Sequence, residues 1–304
     1  LDYETLSKLR SDIIIVTLTG DRHGRPQVDY TVNPALGIPD ITGHEGSADP
    51  VANAIPAWDM IAGNMCVSSL LAAERYRLRH GVGQDVEIAL KDVAAAAIGH
   101  LGMIADATLN SDDRTKAGNA LYGAYGKDFL CADGNRVMII GLTSRQWSGI
   151  VKATDTSEQF KKLEIENNIN LQDESIRWQW RHAITEIIEP WFKIRAVEDF
   201  ADDFDKTGLT WSVFRSVKEA LNVDPDLTED NPLFKKILQP DAGEFLVPKH
   251  PANFSKVENS DATPAPALGE HTEEVLGDVL NLSDLEIANL FDDGVVASPN
   301  YNKN

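Results

Sequence analysis

The most regular pattern of apolar and polar positions in the chain lies between residues 55 and 90. Apolar side chains recur at helical spacing after Asp59, arginines are concentrated near the far end, and Gly81 closes the pattern. This distribution predicts a long helix packed on the core, because cations suit the carboxyl end of a helix and glycine ends helices readily. Alternating apolar residues over 86–90 then predict a strand.

Asp59 stands where this helical pattern begins, and two interpretations of it are open. We expect Asp59 to be the N-cap, because an aspartate oxygen accepts an unpaired backbone N–H. The helix dipole also favours a charged carboxylate there, which would suit a nucleophile. The segment 26–54, rich in Gly, Pro, Asp and Asn, leads directly to Asp59 and is a candidate wall of a site. The local pattern alone favours the simple cap.

A continuous β-branched run over 13–18 predicts a strand of a parallel sheet that is buried on both faces. The turn that follows it consists of Thr19, Gly20, Asp21 and Arg22. Ligands of open α/β sheets bind at this end of a strand, where exposed N–H groups receive phosphates. A plain turn is the alternative interpretation.

Changes in pattern along the 304 residues indicate an α/β protein with more than one domain. Residues 1–110 read as part of a large α/β domain, and the polar residues 111–119 read as a linker. Residues 120–222 predict a smaller α/β domain that opens with a β-hairpin, and residues 223–304 a C-terminal segment of short strands and helices.

Composition removes several function classes. The net charge of −20 argues against nucleic acid as a partner and against anionic membrane surfaces. No apolar run is long enough to span a membrane. Cys66 and Cys131 fall in different predicted elements, which fits two free thiols in a reducing cytoplasm, and no Cys/His spacing indicates a metal site.

Four stretches in fixed order carry a family resemblance: WDMIAGNMCVSSLLAAERYRLRHGVGQDVEIAL, YGKDFLCADGNRVMIIGLTSRQW, PAPALGEHTEEVL and LSDLEIANLFDDGVV. Together the chain resembles the class III (CaiB/BaiF-type) CoA-transferase family. The resemblance implies a Rossmann-like large domain, a smaller α/β domain, a C-terminal segment that returns to the large domain, and an interlocked homodimer. Family members carry a further N-terminal portion, so we expect the large domain to be truncated here and this chain alone to bind CoA poorly.

The resemblance also assigns residues. It makes Asp59 the nucleophile and puts the CoA-contacting turn at Thr19, Gly20, Asp21 and Arg22, where the match is in position rather than in identity. The racemase branch has a histidine where this chain has Val28. Because valine moves no proton, acyl transfer is favoured over racemisation.

The implied reaction is covalent catalysis with an acyl-CoA substrate. VDYTVNPALGIPDITG and ALKDVAAAAIGHLGMIA resemble the subgroup that moves CoA between the two carboxyl groups of one mesaconyl (methylfumaryl) unit. We expect no cofactor beyond the CoA of the substrate, and the loop 122–127 is a candidate lid. An intermolecular CoA transferase and a non-catalytic CoA-binding subunit are the alternatives.

Overall fold

The computed structural model describes residues 2–240 and 242–299. Spatial proximity divides the chain into two compact units, residues 1–214 and 215–304. The first unit contains both the predicted large-domain part and most of the predicted small domain. The boundaries at 110, 119 and 222 stay predictions.

Helices surround a pair of parallel strands in the chain up to residue 110. In order, the elements are α1 (Tyr3–Leu9), β1 (Ile14–Thr19), α2 (Asp29–Ala35), α3 (Ile38–Ile41), α4 (Ala57–His80), β2 (Gln84–Ala89), α5 (Leu90–His100) and α6 (Met103–Leu109). Ile14 pairs with Gln84 and Thr19 with Ala89, so the two strands run parallel in register. Parallel neighbours need a crossover connection, and α2 to α4 provide it.

The strand predicted over 13–18 is confirmed in type, but its burial is not. Leu18 is 49% exposed, and β1 pairs only with β2 among the described residues. The prediction that β1 is buried on both faces is therefore wrong for this chain. The core of this part instead lies where α2, α4, β2 and α5 meet, and its buried members are Val32, Trp58, Ala62, Ile88, Leu90, Val93, Ala94 and Ile98.

The long helix α4 is confirmed, with Gly81 ending it at φ 74° and donating its N–H to Arg77 O at 2.8 Å. The N-cap prediction is wrong, because the helix begins at Ala57 and Asp59 is its third residue. The expectation that the regularly spaced apolar side chains of α4 pack on the core is also wrong. Trp58, Ala62 and Ala73 are buried, whereas the apolar side chains that recur at helical spacing are exposed, among them Met60, Val67, Leu70 and Leu71.

Within the described ranges, no single helix is both long and apolar enough to cross a membrane. The helices α5 and α6 meet that criterion only as a pair, and the pair is bent by 66°. Gly102, in the left-handed conformation at φ 77°, separates them.

The rest of the first unit is an antiparallel sheet covered by helices. Its elements are β3 (Tyr125–Leu130), β4 (Arg136–Gly141), α7 (Ser144–Ala153), α8 (Ser157–Asn167), α9 (Glu174–Gln179), α10 (Arg181–Lys193), a 3₁₀ turn (Val197–Asp199), α11 (Ala201–Thr207) and β5 (Thr210–Val213). The strand order is β3-β4-β5, and the predicted hairpin is confirmed. An aromatic core fills the space between sheet and helices, with Phe129, Trp147, Phe192 and Phe204 at most 2% exposed.

The second unit consists of short elements. They are α12 (Val217–Val223), a 3₁₀ turn (Pro225–Leu227), the antiparallel strands β6 (Phe234–Gln239) and β7 (Gly243–Pro248), α13 (Thr272–Glu274), a π-helical turn (Val275–Val279) and α14 (Asp284–Asp292). Ser283 and Glu286 form a capping box at the start of α14. Residues 300–304 of the predicted C-terminal segment lie outside the described residues.

Candidate active site

The amino end of α4 is capped from outside the helix. Pro56 is the N-cap and has no side-chain acceptor, although the first N–H groups of any helix lack partners within it. The carboxylate of Asp29 supplies one: Oδ2 accepts from the N–H of Trp58 at 2.7 Å and from that of Asp59 at 3.4 Å. Asp29 is the first residue of α2 and is only 2% exposed. Two elements distant in sequence thus meet at one buried carboxylate.

A second contact fixes the same corner. The indole Nε1 of Trp58 donates to Asn33 Oδ1 at 3.1 Å, and Asn53 Nδ2 lies 3.5 Å from the same oxygen. Asn33 stands one turn after Asp29 on α2, and both Asn33 and Trp58 are buried. A buried hydrogen-bonded network of this kind holds a single geometry, because each member left unpaired would be costly.

Asp59 and Asp29 are both aspartates, but they differ in exposure and in hydrogen bonding. Its side chain is exposed in the first turn of α4. Among the residues that the structure describes, its carboxylate has neither a hydrogen-bond donor nor an ion-pair partner. The interpretation of Asp59 as a cap is thereby corrected, and its role as a nucleophile stays a prediction.

The segment 26–54 is packed against this corner, as the wall interpretation requires, and it contains α2 and α3. Its far end is held by the other part of the same unit: Glu45 Oε1 accepts from Arg181 at 2.8 Å and lies 3.3 Å from His182. Burial raises the pKa of Glu45, but the hydrogen bond and charge of Arg181 outweigh it and leave that pKa below its usual value. Lys116 also donates to the backbone oxygen of Asp49.

The predicted CoA-contacting turn is held together largely by its own contacts. The carboxylate of Asp21 is buried and accepts from the N–H groups of His23 and Arg25 and from the Arg25 guanidinium. Burial raises the pKa of Asp21, but these donors outweigh it and hold the pKa at about 2. The Thr19 hydroxyl donates to Asp21 O at 3.0 Å. Both side chains are thus engaged within the loop.

Gly20 is closely packed in that turn, whereas Arg22 is exposed. A Cβ on Gly20 would lie 2.3 Å from Gln27 N and 2.5 Å from Arg25 O, so close backbone packing requires glycine there. Arg22 is exposed, and among the described residues its Nε donates only to the neighbouring His23 at 3.4 Å. Arg22 is therefore the side chain of this turn that can reach an anion. Contact of the turn with CoA stays a prediction.

The candidate lid over 122–127 is partly strand. Tyr125 and Gly126 are buried in β3, and the Tyr125 hydroxyl lies 3.1 Å from Thr185 Oγ1. Tyr122 is clamped outside the strand, with the Arg114 guanidinium 3.5 Å from its ring centroid and the Trp178 ring at 4.8 Å. A segment fixed at both ends in this way does not have the freedom of a lid.

The structure describes no group of three or more His, Cys, Asp or Glu side chains that could hold a metal ion. Cys66 and Cys131 are free thiols. The polar groups at the amino end of α4 are the carboxylates of Asp29 and Asp59 and the backbone N–H groups beside them.

Comparison with known proteins shows the family of the chain. Residues 1–272 match the sequence model of CoA-transferase family III. The chain belongs to CoA-transferase family III. It is 46% identical over 299 residues to 2-methylfumaryl-CoA isomerase of Chloroflexus aurantiacus, covering 98% of this chain and 73% of that protein. Human succinyl-CoA:glutarate CoA-transferase is 24% identical, with 97% of this chain and 66% of the human protein covered.

Solved structures share the fold. A CaiB/BaiF family protein from Brucella suis superposes with a TM-score of 0.68 at 21% identity, covering 92% of this chain and 71% of that one. A protein of Mycobacterium tuberculosis superposes with a TM-score of 0.70 at 19% identity, covering 90% of this chain and 71% of that one. The α/β fold class is thus confirmed for this member of CoA-transferase family III.

Asp29 is not among the site residues predicted from the sequence, although it directly follows Val28, which stands in the place of the racemase histidine. An available signal was an acidic residue that opens an amphipathic turn, TVNPAL, inside an otherwise irregular segment. Nothing in the local pattern could show that its partner N–H groups lie some thirty residues later, at the start of α4.

Proposed function

We propose that this chain carries the nucleophile of an intramolecular CoA transferase that converts 2-methylfumaryl-CoA into 3-methylfumaryl-CoA. The carrying observation is the free, exposed carboxylate of Asp59 in the first turn of α4, beside a second carboxylate that already occupies the helix N–H groups. The 46% identity to 2-methylfumaryl-CoA isomerase of Chloroflexus aurantiacus supports the choice of substrate.

The reaction begins with attack of the Asp59 carboxylate on the C1 thioester carbonyl. CoA leaves as thiolate, and a mixed anhydride joins Asp59 to the acyl group. The thiolate then attacks the Asp59 carbonyl, which forms an aspartyl-CoA thioester and frees mesaconate. Splitting the exchange in this way replaces one difficult step by several accessible ones.

The second half repeats these steps at the other carboxyl group. The C4 carboxylate of mesaconate attacks the aspartyl thioester carbonyl, expels CoA thiolate and gives a new anhydride. The thiolate attacks the C4 carbonyl, which yields 3-methylfumaryl-CoA and returns Asp59 as carboxylate. Each tetrahedral intermediate needs donors for its oxyanion, and mesaconate must stay bound while water is excluded.

The direct test is a product assay on the full-length protein with 2-methylfumaryl-CoA. We expect 3-methylfumaryl-CoA from the wild type and a loss of about 10⁴-fold or more in kcat for Asp59→Ala, because removal of a nucleophile removes the covalent route. An Asp59→Ala variant with wild-type kcat would rule out the proposal.

An intermolecular transferase is the second candidate, favoured by the resemblance to human succinyl-CoA:glutarate CoA-transferase. Incubation with 2-methylfumaryl-CoA and isotope-labelled free mesaconate separates the two. Intramolecular transfer leaves the thioester pool unlabelled, whereas exchange with a second acid labels it. A non-catalytic CoA-binding subunit would give neither product nor label.

Assembly and location belong to the same proposal. We infer a homodimer in the cytoplasm from the family resemblance and from the free thiols Cys66 and Cys131. Sedimentation equilibrium of the full-length protein tests the homodimer, and we expect the mass of two chains.

A further inference from the structure

A helix cap does not need a charged side chain, yet the residue that caps α4 is an aspartate. Helices are usually capped by the residue that precedes them, but α4 starts after Pro56, which offers no side-chain acceptor. The acceptor arrives instead from α2, as a carboxylate that is 2% exposed. A buried carboxyl group needs hydrogen-bond partners, and the two helix N–H groups at 2.7 and 3.4 Å provide them.

These two N–H groups are the ones that Asp59 would otherwise use. An aspartate in the first turn of a helix readily bends back and hydrogen-bonds unpaired amides at the helix start. Such a self-capped carboxylate would be stabilised as an anion and turned away from a substrate. Because Asp29 Oδ2 already accepts from the N–H of Trp58 and of Asp59, the carboxylate of Asp59 has no described partner and stays exposed.

The surroundings of Asp29 make this arrangement rigid. Val32, one turn further along α2, is fully buried in the core beside Trp58 and Ala62. The Trp58 indole is tied to Asn33 on the same helix. Asp29 therefore cannot withdraw from α4 without moving the core packing of both helices.

We propose that Asp29 is a positioning residue that keeps the Asp59 carboxylate free by occupying the backbone N–H groups of α4 in its place. The inference rests on the proposed function, because it assigns to Asp29 the preparation of the nucleophile named there. Asp29 itself does not contact the acyl group and acts only through Asp59.

The test compares Asp29→Asn and Asp29→Ala with the wild type in the full-length protein, using 2-methylfumaryl-CoA. Asparagine keeps one acceptor oxygen but no charge, so we expect kcat to fall about tenfold, since charge-assisted bonds are about twice as strong as neutral ones. Alanine leaves both N–H groups to Asp59, and we expect a fall of about 100-fold, the scale of a misplaced reacting group. KM should stay within about twofold, because a buried residue does not bind CoA.

A second readout reports on the nucleophile itself. Hydroxylamine inactivates an enzyme that forms acyl-aspartate, so its rate of inactivation in the presence of substrate should fall by the same factor as kcat. A purely structural role of Asp29 would lower the fraction of active protein without slowing inactivation of the molecules that remain active.

Asp173→Asn is the matched control. Asp173 also caps a helix as a carboxylate, accepting from the N–H groups of Ser175 and Ile176 at the start of α9. The same substitution there should leave kcat, KM and the inactivation rate unchanged.

Three results would overturn the inference. They are wild-type kcat in Asp29→Asn, a raised KM at unchanged kcat, and an Asp29→Asn protein too unstable to assay while Asp173→Asn is stable. Failure of the proposed function is distinguishable, because it would appear as full activity of Asp59→Ala. Loss of activity in Asp59→Ala with full activity in Asp29→Asn would reject only the role of Asp29.

Discussion

Residues 1–110 and 120–214 belong to one compact unit, but they cover their apolar surface to different extents. In the second region the aromatic side chains close a core, with Phe129 and Phe192 stacked at 4.7 Å and Phe192 0% exposed. In the first, α4 exposes Val67 and Leu71 by 58% and 57%. The candidate nucleophile Asp59 therefore lies in the region that leaves more of its apolar surface exposed, where a substrate can reach it.

Buried charge is also used differently in the two regions. Arg177 in the second is fully buried and donates to the backbone oxygens of Leu171, Gln172 and Leu142, so it ties loops together. Asp29 in the first region is also buried, but its carboxylate accepts from the backbone N–H groups of Trp58 and of Asp59 itself. The first buried charge stabilises a fold, and the second prepares a neighbouring group.

The largest expected effect is in the closed core. Phe192→Ala should lower the free energy of unfolding by about 3–5 kcal/mol, because it removes a buried ring and leaves a cavity. Urea unfolding monitored by circular dichroism measures the loss. Ile194→Ala, at a side chain that is 73% exposed, is the control and should change little. Equal losses at both positions would show that this core is not closed as described.

A pH series gives an effect of intermediate size and compares buried carboxylates of both regions. The pKa of Asp21 is about 2 against an ordinary value of 3.8, so Asp21 stabilises the fold above about pH 4 and this stabilisation disappears as the pH falls towards 2. Burial raises the pKa of Asp128, but a hydrogen bond from Arg136 and the charge of Lys127 outweigh it, so the pKa lies below its ordinary value. Asp128 therefore also stabilises the fold at neutral pH and loses this effect on acidification.

Asp21→Asn and Asp128→Asn should therefore each be less stable than the wild type at neutral pH. In urea unfolding at each pH, the difference in stability should narrow between pH 4 and pH 2 for Asp21→Asn, and as the pH falls below the ordinary value of 3.8 for Asp128→Asn. A gap that widens on acidification would contradict the assignment of these carboxylates as ionised and paired.

The smallest effect is expected on the open face of α4. Leu71→Ala should change the unfolding free energy of the described chain by about 0.5 kcal/mol or less, as for other exposed positions. The same urea titration measures it. A loss as large as that of Phe192→Ala would mean that this face is covered in solution and would break the comparison.

The sequence predicted the elements well where pattern and chemistry are local. The hairpin at β3 and β4 follows from nearby residues, and the structure confirms it. Glycine at position 81 likewise marked the end of α4, because its φ of 74° suits a residue without a side chain.

What the sequence could not show was long-range partnership. The start of α4 depends on Asp29, which is distant in sequence, so a local rule assigned the cap to Asp59 instead. The exposed face of α4 was missed for a similar reason. Helical spacing identifies a row of apolar side chains such as Val67 and Leu71, but it does not show whether another segment covers them.

The most direct measurement of the central claim is chemical trapping at Asp59. The full-length protein is incubated with 2-methylfumaryl-CoA and hydroxylamine, and its peptides are analysed by mass spectrometry. The account predicts a hydroxamate on Asp59 that depends on substrate, with loss of activity in proportion, and no such modification at Asp29. Formation of 3-methylfumaryl-CoA without any substrate-dependent modification of Asp59 would contradict it.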